Sequence, residues 1–183
     1  LYGKSINVSF TRIIKYIAFI ISILTPALYI AITTFNQEMI PTDLLVSFAT
    51  QRDGVPFPAF FEAIMMMIAF EILRESDIRV PNPAGSALSI VGALILGDAA
   101  VSAGIVSPIM IIIIAITAIS SLPFSEFEFT NAIRLYRLIF MLGAAFMGLI
   151  GVVVVGIFFI IKLASTKSFG KPYLIPFAPT YIE

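Results

Sequence analysis

The chain has 183 residues, of which 60% are apolar and 12% charged, with 11 basic and 11 acidic side chains and a mean hydropathy of +1.06. Soluble domains carry about 25% charged residues, so this composition excludes an ordinary water-soluble globule and also a disordered chain. The lack of a basic excess argues against nucleic-acid binding. Cysteine and histidine are absent, and we expect neither a cofactor nor a metal site. The composition predicts a membrane protein.

The first predicted element is a transmembrane helix at residues 16–35. This stretch has no charged side chain and matches the roughly 20 residues that cross a hydrocarbon core. Pro26 at its centre is tolerated where neighbouring helices satisfy the freed carbonyl. Residues 1–15 are basic and form the expected cytoplasmic flank. Residues 40–58 contain three prolines and Gly54, which predicts an ordered loop outside the membrane with a short helix.

Two apolar stretches of unusual length come next. Residues 59–73, interrupted by Glu62 and Glu71, predict a short helix that rises only about 22 Å. It either crosses the membrane or lies on its surface. Residues 84–122 would form a helix of about 58 Å, nearly twice the hydrocarbon core, so this segment must break. We expect the break in the region 97–104, followed by a transmembrane helix.

The last predicted span covers residues 138–161, which are 24 consecutive uncharged residues. Ala144 and Gly148 lie four residues apart within it and predict a face for close helix packing. Residues 162–183 are basic and rich in proline, typical of an extended cytoplasmic tail. The predicted fold is therefore all-α, a single transmembrane domain with about four transmembrane helices plus a re-entrant or broken helical segment.

Basic residues predict the orientation, because they concentrate in cytoplasmic loops. If 59–73 crosses and 84–103 dips in and returns, eight of the eleven basic residues share one face. The opposite face then holds five acidic residues and Arg52, Arg134 and Arg137. If 59–73 lies on the surface instead and 84–103 crosses, Arg74 and Arg79 move outside, which fits the charge rule less well. Both arrangements put both termini in the cytoplasm.

Acidic side chains at membrane depth suggest function by default. Glu62 and Glu71 are nine residues apart, about 180° around a helix, so they cannot line one face together. A structural interpretation places Glu62 in a first helical turn after Pro58 and pairs Glu71 with Arg74; the alternative is a pore or coupling role. Asp98, at the expected break, either attracts cations or holds a loop by hydrogen bonds.

These patterns give three groups of candidate residues. The candidate pore or coupling residues are Glu62, Glu71, Arg74, Glu75 and Asp98. The candidate hinge and packing residues are Pro56, Pro58, Gly92, Gly97, Gly104, Pro108 and Gly148. The candidate docking surfaces are the loop 40–58 and the tail 167–180, with Arg52, Asp53, Phe169, Gly170 and Pro172. The run Met65–Met66–Met67 is interpreted as packing rather than as a metal site. No hydrolytic constellation is present in the sequence, and we expect no enzyme.

Several short segments are each weak evidence alone, but together and in this order they are specific to one protein family. They are Glu38–Pro41, Arg52–Pro58, Glu62, Phe70–Glu71, Leu73–Glu75, Ile78–Arg79, Ile90–Leu94, Gly97, Ala99–Val101, Ala103–Ser107, Ala115–Ser120, Ser168–Gly170 and Pro172–Tyr173. Between about Thr11 and Pro176 the chain resembles the membrane portion of the A subunit of GerA-type nutrient receptors for spore germination. Family members also have an N-terminal cytoplasmic domain, which we expect to be missing here because the chain opens at Leu1 without a methionine.

The resemblance implies a multi-pass protein of the spore inner membrane, in contact with lipid, a transporter-like B subunit and a lipoprotein C subunit. It also implies that A subunits oligomerise, as a pentamer, into a nutrient-gated ion channel that starts germination. The family often has an acid where Met67 and Ser102 stand here. If those acids line the pore, conduction or gating differs in this protein.

Two functions follow as hypotheses. The first is an ion-conducting receptor subunit, in which charge rings and apolar constrictions control flux. The second is a non-conducting scaffold that assembles the partner subunits and passes on their signal. A related paralogue, the sporulation-stage AF protein, fits the same segments. A secondary transporter is weaker, because no inverted repeat of hydropathy is evident.

Overall fold

The computed structural model describes residues 2–79, 83–124, 127–168 and 171–172. The regular secondary structure of these residues is helical apart from one pair of two-residue strands, which confirms the predicted all-α architecture. The helices are α1 (Tyr2–Thr34), α2 (Thr42–Arg52), α3 (Ala59–Arg79), α4 (Pro83–Ser102), α5 (Pro108–Ser121) and α6 (Phe127–Ser165). A 3₁₀ turn covers Gln37–Met39, and the antiparallel strands are β1 (Lys167–Ser168) and β2 (Lys171–Pro172).

Helix α1 runs through the centre of the bundle and packs mainly against α6 and α5. Ala27, Ile30 and Ala31 have no exposed surface, and Pro26 is buried with them inside the helix. The described side chains before Ala18 are all exposed. The second half of α1 therefore supplies the centre of the core, and its first half extends beyond it.

Helix α6 reverses direction at Gly148, where the backbone has a φ of 60° and a ψ of −139°. The ring centroids of Tyr136 and Phe159 are 4.6 Å apart. In a straight helix, residues 23 positions apart would be separated by about 34 Å. Residues 127–147 and 149–165 are thus the two antiparallel arms of a helical hairpin.

This hairpin corrects the prediction of one straight span at 138–161. Gly148 adopts a positive φ that other residues rarely adopt, and the turn forms there. The arms then approach closely at Gly143 and Gly151: a Cβ on Gly143 would lie 3.0 Å from the carbonyl oxygen of Gly151. Of the predicted packing residues, Gly148 forms the turn beside Phe35 and Asn36 and Ala144 is buried in the core, whereas the two arms approach each other at Gly143 and Gly151.

The break between α4 and α5 lies at residues 103–107, with Gly104 at a φ of 66°. It therefore falls at the end of the predicted region, and Gly97 lies inside α4. A Cβ on Gly97 would be 3.4 Å from a methyl of Ile111, so this glycine lets α4 and α5 pack closely. The expectation that 84–103 dips in and returns is wrong, because the described part of this segment is one continuous helix.

Contacts between helices define two ends of the bundle. The Glu62 end is marked by Asn36, Glu62, Ser107 and Gly148, and the arginine end by Ser22, Glu71, Ser121 and Arg137. Helix α1 runs from the arginine end to the Glu62 end, and α3 runs back. Helix α4 again runs toward the Glu62 end and α5 back to the arginine end. The first arm of α6 then runs to the Glu62 end, and its second arm returns. Over the described residues the chain passes between the two ends six times.

Candidate functional site

Glu62 lies in the first turn of α3 and has no exposed surface. Its Oε2 accepts hydrogen bonds from the backbone N–H of Ser107 at 2.9 Å and from the Ser107 hydroxyl at 2.8 Å. Its Oε1 accepts a hydrogen bond from Nη2 of Arg52 at 3.2 Å. One carboxylate thus joins the end of α2, the start of α3 and the start of α5. We call Arg52, Glu62 and Ser107 the Glu62 site.

Local sequence explains why these groups meet. Pro58 precedes α3, and its carbonyl accepts the backbone N–H of Glu62 at 3.2 Å. Ser107 is the N-cap residue of α5, with Pro108 in the first helical position. Two helix N-termini therefore point toward the Glu62 carboxylate, and their dipoles favour a negative charge. The predicted position of Glu62 in a first turn after Pro58 is confirmed.

The buried carboxylate of Glu62 is stabilised because both of its oxygens accept hydrogen bonds. Hydrogen bonds to an ionised acceptor are about twice as strong as neutral ones, and Glu62 accepts three. The Arg52 side chain is 23% exposed, so it connects the buried carboxylate to the surface. The Tyr29 hydroxyl is buried beside Ser107 but makes no well-aligned hydrogen bond with the described residues.

A second charged group, the arginine cluster, contains Glu71, Arg74, Arg134 and Arg137. Oε2 of Glu71 lies 2.9 Å from Nε of Arg134, and Oε1 lies 4.0 Å from Nη1 of Arg137. The Arg134 N–H does not point at the carboxylate, so the contact is ionic rather than a hydrogen bond. The predicted partner Arg74 is near enough to Glu71 for electrostatic attraction, but the guanidinium groups within ion-pair distance of the carboxylate in the described residues are those of Arg134 and Arg137 in α6.

The other contacts of the arginine cluster reach two further helices. Arg74 donates a hydrogen bond through Nη1 to the Ser121 hydroxyl at 3.2 Å, at the end of α5. Arg137 is buried and donates through Nε to the carbonyl of Ser22 in α1 at 2.8 Å. The cluster therefore ties α1, α3, α5 and α6 together at the arginine end. Charges at membrane depth are expected to pair in this way.

The remaining candidate residues occupy separate places. Asp98 is exposed inside α4 and does not lie at the chain break, which corrects its predicted position. Glu75 is half-buried in α3. Gly92 packs α4 against α3, since a Cβ there would lie 3.3 Å from a methyl of Leu73. Met66, from the methionine run, is buried in the core.

Of the predicted docking residues, the structure describes Arg52, Asp53 and Pro172. Asp53 and Pro56 are exposed in the loop after α2. Pro172 pairs with Lys167 across the two-residue strands. The predictions for Phe169 and Gly170 lie outside the described residues.

Three residues of these sites were missed from sequence. Ser107 could have been found from the Ser–Pro pair before a run of isoleucines, which is typical of a helix start. Arg134 and Arg137 share one helix face three residues apart, just before the 24 uncharged residues 138–161. Their common partner could not be foreseen, because it depends on how α3 packs against α6.

By length and composition, two of the described helices could cross a membrane, Asn7–Thr34 and Phe129–Ser165. The second of these is the hairpin that reverses at Gly148. The family described as Bacillus/Clostridium GerA spore germination protein matches residues 1–183. The chain belongs to the GerA family. The family resemblance seen in the sequence motifs is confirmed.

Several curated relatives match this GerA chain. It is 53% identical to spore germination protein KA of Bacillus subtilis (strain 168) over 168 residues, which cover 92% of the chain and 31% of the relative. It is 39% identical to spore germination protein GerLA of Bacillus cereus over 182 residues, 100% of the chain and 37% of the relative. A third relative, 38% identical over 178 residues, is the uncharacterized membrane protein YfkQ of Bacillus subtilis (strain 168), with 97% and 35% covered.

The GerA chain spans about a third of the length of these curated relatives. No solved structure matches it. The named relatives support a role in spore germination, and together with the two apolar helices they suggest association with a membrane.

Proposed function

We propose that this GerA chain is the membrane portion of the A subunit of a nutrient germinant receptor in the spore inner membrane. It oligomerises there into a nutrient-gated ion channel, with a transporter-like B subunit and a lipoprotein C subunit as partners. The match of the whole chain to the GerA family carries this proposal. Buried charges that are paired inside an apolar bundle are the physical support for placing the chain across the membrane.

The distribution of basic residues supports an orientation with both termini in the cytoplasm. Arg134 and Arg137 lie beside Glu71 at the arginine end, whereas the sequence had placed them on the opposite face. Ten of the eleven basic residues now lie at the arginine end or on the chain that leads to it or away from it; Arg52 is the exception. Basic residues concentrate on the cytoplasmic side, so the arginine end faces the cytoplasm and the Glu62 end faces away.

We assign the Glu62 site a coupling role. Arg52 belongs to α2, which lies in the loop that we expect to contact partner subunits or nutrient-binding parts of the receptor. Ser107 belongs to the break between α4 and α5. Since Glu62 binds both, a displacement of α2 is transmitted to the break without passing through the apolar core. Glu71, Arg74 and Glu75 form the corresponding coupling point on the cytoplasmic side.

Asp98 is the candidate for a ring of pore carboxylates. It is exposed, and an exposed acid on a helix can face its copies around the axis of an oligomer. Rings of acidic side chains select cations. This assignment needs oligomerisation, whereas the coupling role of the Glu62 site does not.

Nutrient-dependent currents from the reconstituted full-length receptor test both assignments. We expect Asp98→Asn to change the ion selectivity, and Glu62→Gln and Glu71→Gln to remove the response to nutrient. Glu38→Gln, an exposed acid after α1, is the matched control and should behave as the unsubstituted receptor. Unchanged flux in all three test variants would overturn the assignments.

A non-conducting scaffold is the second candidate, and the surface of α2 favours it. None of the residues of α2 is buried, and Leu44 and Val46 expose more than half of their surface. Apolar side chains exposed beside Asp43 and Asp53 are typical of a docking surface. A receptor that captures the B and C subunits but carries no current would favour this function. Loss of capture in Leu44→Ser and Val46→Ser would assign the docking to α2.

A further inference from the structure

The two arms of α6 leave an open groove of about 270 Å³. It lies toward the arginine end of the hairpin, beside the ring contact between Tyr136 and Phe159. The groove is lined by Tyr136, Ile139, Val155, Phe158, Phe159 and Lys162. Its walls are aliphatic and aromatic, and Lys162 supplies its charged group. Phe158 is 68% exposed, so the groove opens to the surroundings of the protein.

We propose that this groove binds an acyl chain of an anionic phospholipid, with the phosphate of the same lipid at the Lys162 ammonium. The inference rests on the membrane placement in the proposed function, and it is independent of whether the protein conducts ions. An acyl chain fits the apolar walls, and the ammonium matches the negative charge of the headgroup.

The position of Lys162 supports this occupant. Lys162 directly follows the uncharged residues 149–161, so it lies where the second arm leaves the hydrocarbon. A lysine at such a boundary extends its ammonium toward the lipid headgroups while its stem covers apolar surface. Tyr136, opposite, is also amphipathic, and tyrosine is enriched at this level of a membrane.

Neighbouring charge strengthens the match to an anionic headgroup. The Phe159 ring lies 6.4 Å from the ring of Phe19 in α1. Lys15 is one helical turn before Phe19 and is exposed, so a second ammonium belongs to the same end of the bundle. Each basic residue near an anionic membrane surface attracts lipid charge. A zwitterionic lipid would gain less from these two ammonium groups.

The test uses the full-length protein in vesicles of phosphatidylcholine with a minor fraction of phosphatidylglycerol. The probe is a phosphatidylglycerol with a diazirine in one acyl chain, and labelled peptides are identified by mass spectrometry. We expect labelling of the groove residues, and about fivefold less of it in Lys162→Gln, the loss that corresponds to one surface charge.

Ile139→Phe tests the cavity itself by filling it. Leu138→Phe is the matched control, because the two side chains are 39% and 38% exposed and only Ile139 lines the groove. We expect Ile139→Phe to reduce groove labelling and Leu138→Phe to leave it unchanged.

Three results would overturn the proposal. The first is equal labelling of the groove by a diazirine phosphatidylcholine, with no effect of Lys162→Gln, which indicates unspecific contact with lipid. The second is that a cysteine placed in the groove is joined by a thiol crosslinker to a cysteine of a second copy of the chain, which shows that protein covers the groove. The third is that only water-exposed residues are labelled, which would also refute the membrane placement. The first two results leave the proposed germination function intact.

Discussion

Replacing Glu62 by Gln should destabilise the protein strongly, because glutamine cannot satisfy all of its neighbours. The carboxylate uses one oxygen for Ser107 and the other for Arg52. Glutamine has one carbonyl oxygen, so its NH₂ group must face either the Ser107 donors or the Arg52 guanidinium. A buried donor then faces another donor, and the charge that attracted Arg52 is gone.

The size of the effect follows from burial. Removing one partner of a buried ion pair costs about 3–5 kcal/mol. The Arg52 side chain is 23% exposed and can turn toward water, so we expect the lower limit, about 3 kcal/mol. Ser107→Ala removes one charge-assisted hydrogen bond and keeps the backbone one, which predicts a loss of about 1.5 kcal/mol. Arg52→Gln should cost about 2 kcal/mol, because it removes the counter-charge of the buried Glu62 carboxylate while both Ser107 hydrogen bonds remain.

Thermal unfolding of the full-length protein in a mild detergent measures this order. At roughly 2–4 °C per kcal/mol, Glu62→Gln should lower Tm by roughly 6–12 °C, and Ser107→Ala by about half as much. Glu38→Gln should leave Tm unchanged, since Glu38 is exposed. The reasoning is refuted if Glu62→Gln is no worse than Glu38→Gln, or if Arg52→Gln is the most damaging of the three.

Three further predictions address the hairpin and the arginine cluster. Gly148→Ala should lower Tm by several degrees, because it combines a φ of 60° with a Cβ only 2.7 Å from the Cβ of Phe35; Gly156→Ala, where the nearest contact is an ordinary 3.8 Å, should not. Arg137→Gln should cost about 3 kcal/mol in the same unfolding measurement, because it unpairs a buried charge. Cysteines at positions 136 and 159 should be joined by a short thiol crosslinker within one chain, whereas a straight α6 would keep them apart.

Much of the architecture could be predicted from runs of uncharged residues. The stretch 16–35 lies inside α1 except for its last residue, Phe35, and a chain break was foreseen before α5 because no single helix of that length fits a bilayer. The reversal in α6 was missed because its composition is that of a helix throughout. Gly148 is one of several glycines in the segment, and only the packing of Phe35 and Asn36 against it distinguishes a turn from a helix position.

The sequence identified the acidic residues Glu62 and Glu71 of the two sites but not most of the residues that contact them. Glu62 and Glu71 were found because charge is rare in apolar helices, and their opposite directions followed from helical periodicity. Ser107 is 45 residues from Glu62 in sequence, and local pattern carries no information on such a contact. Arg74 was chosen as the partner of Glu71 for its proximity along the chain. The guanidinium of Arg134, on another helix, makes the 2.9 Å contact with the Glu71 carboxylate.

If the chain has the proposed membrane placement, the reversal at Gly148 also constrains how it enters the bilayer during synthesis. The uncharged residues of the two arms are 138–147 and 149–161, ten and thirteen residues long. A translocation machinery that selects helices of about 20 apolar residues would pass over either arm alone. Joined, they present 24 uncharged residues. In the proposed membrane placement, we therefore expect the two arms to enter the bilayer as one segment, with the glycine turn forming as that segment partitions into lipid.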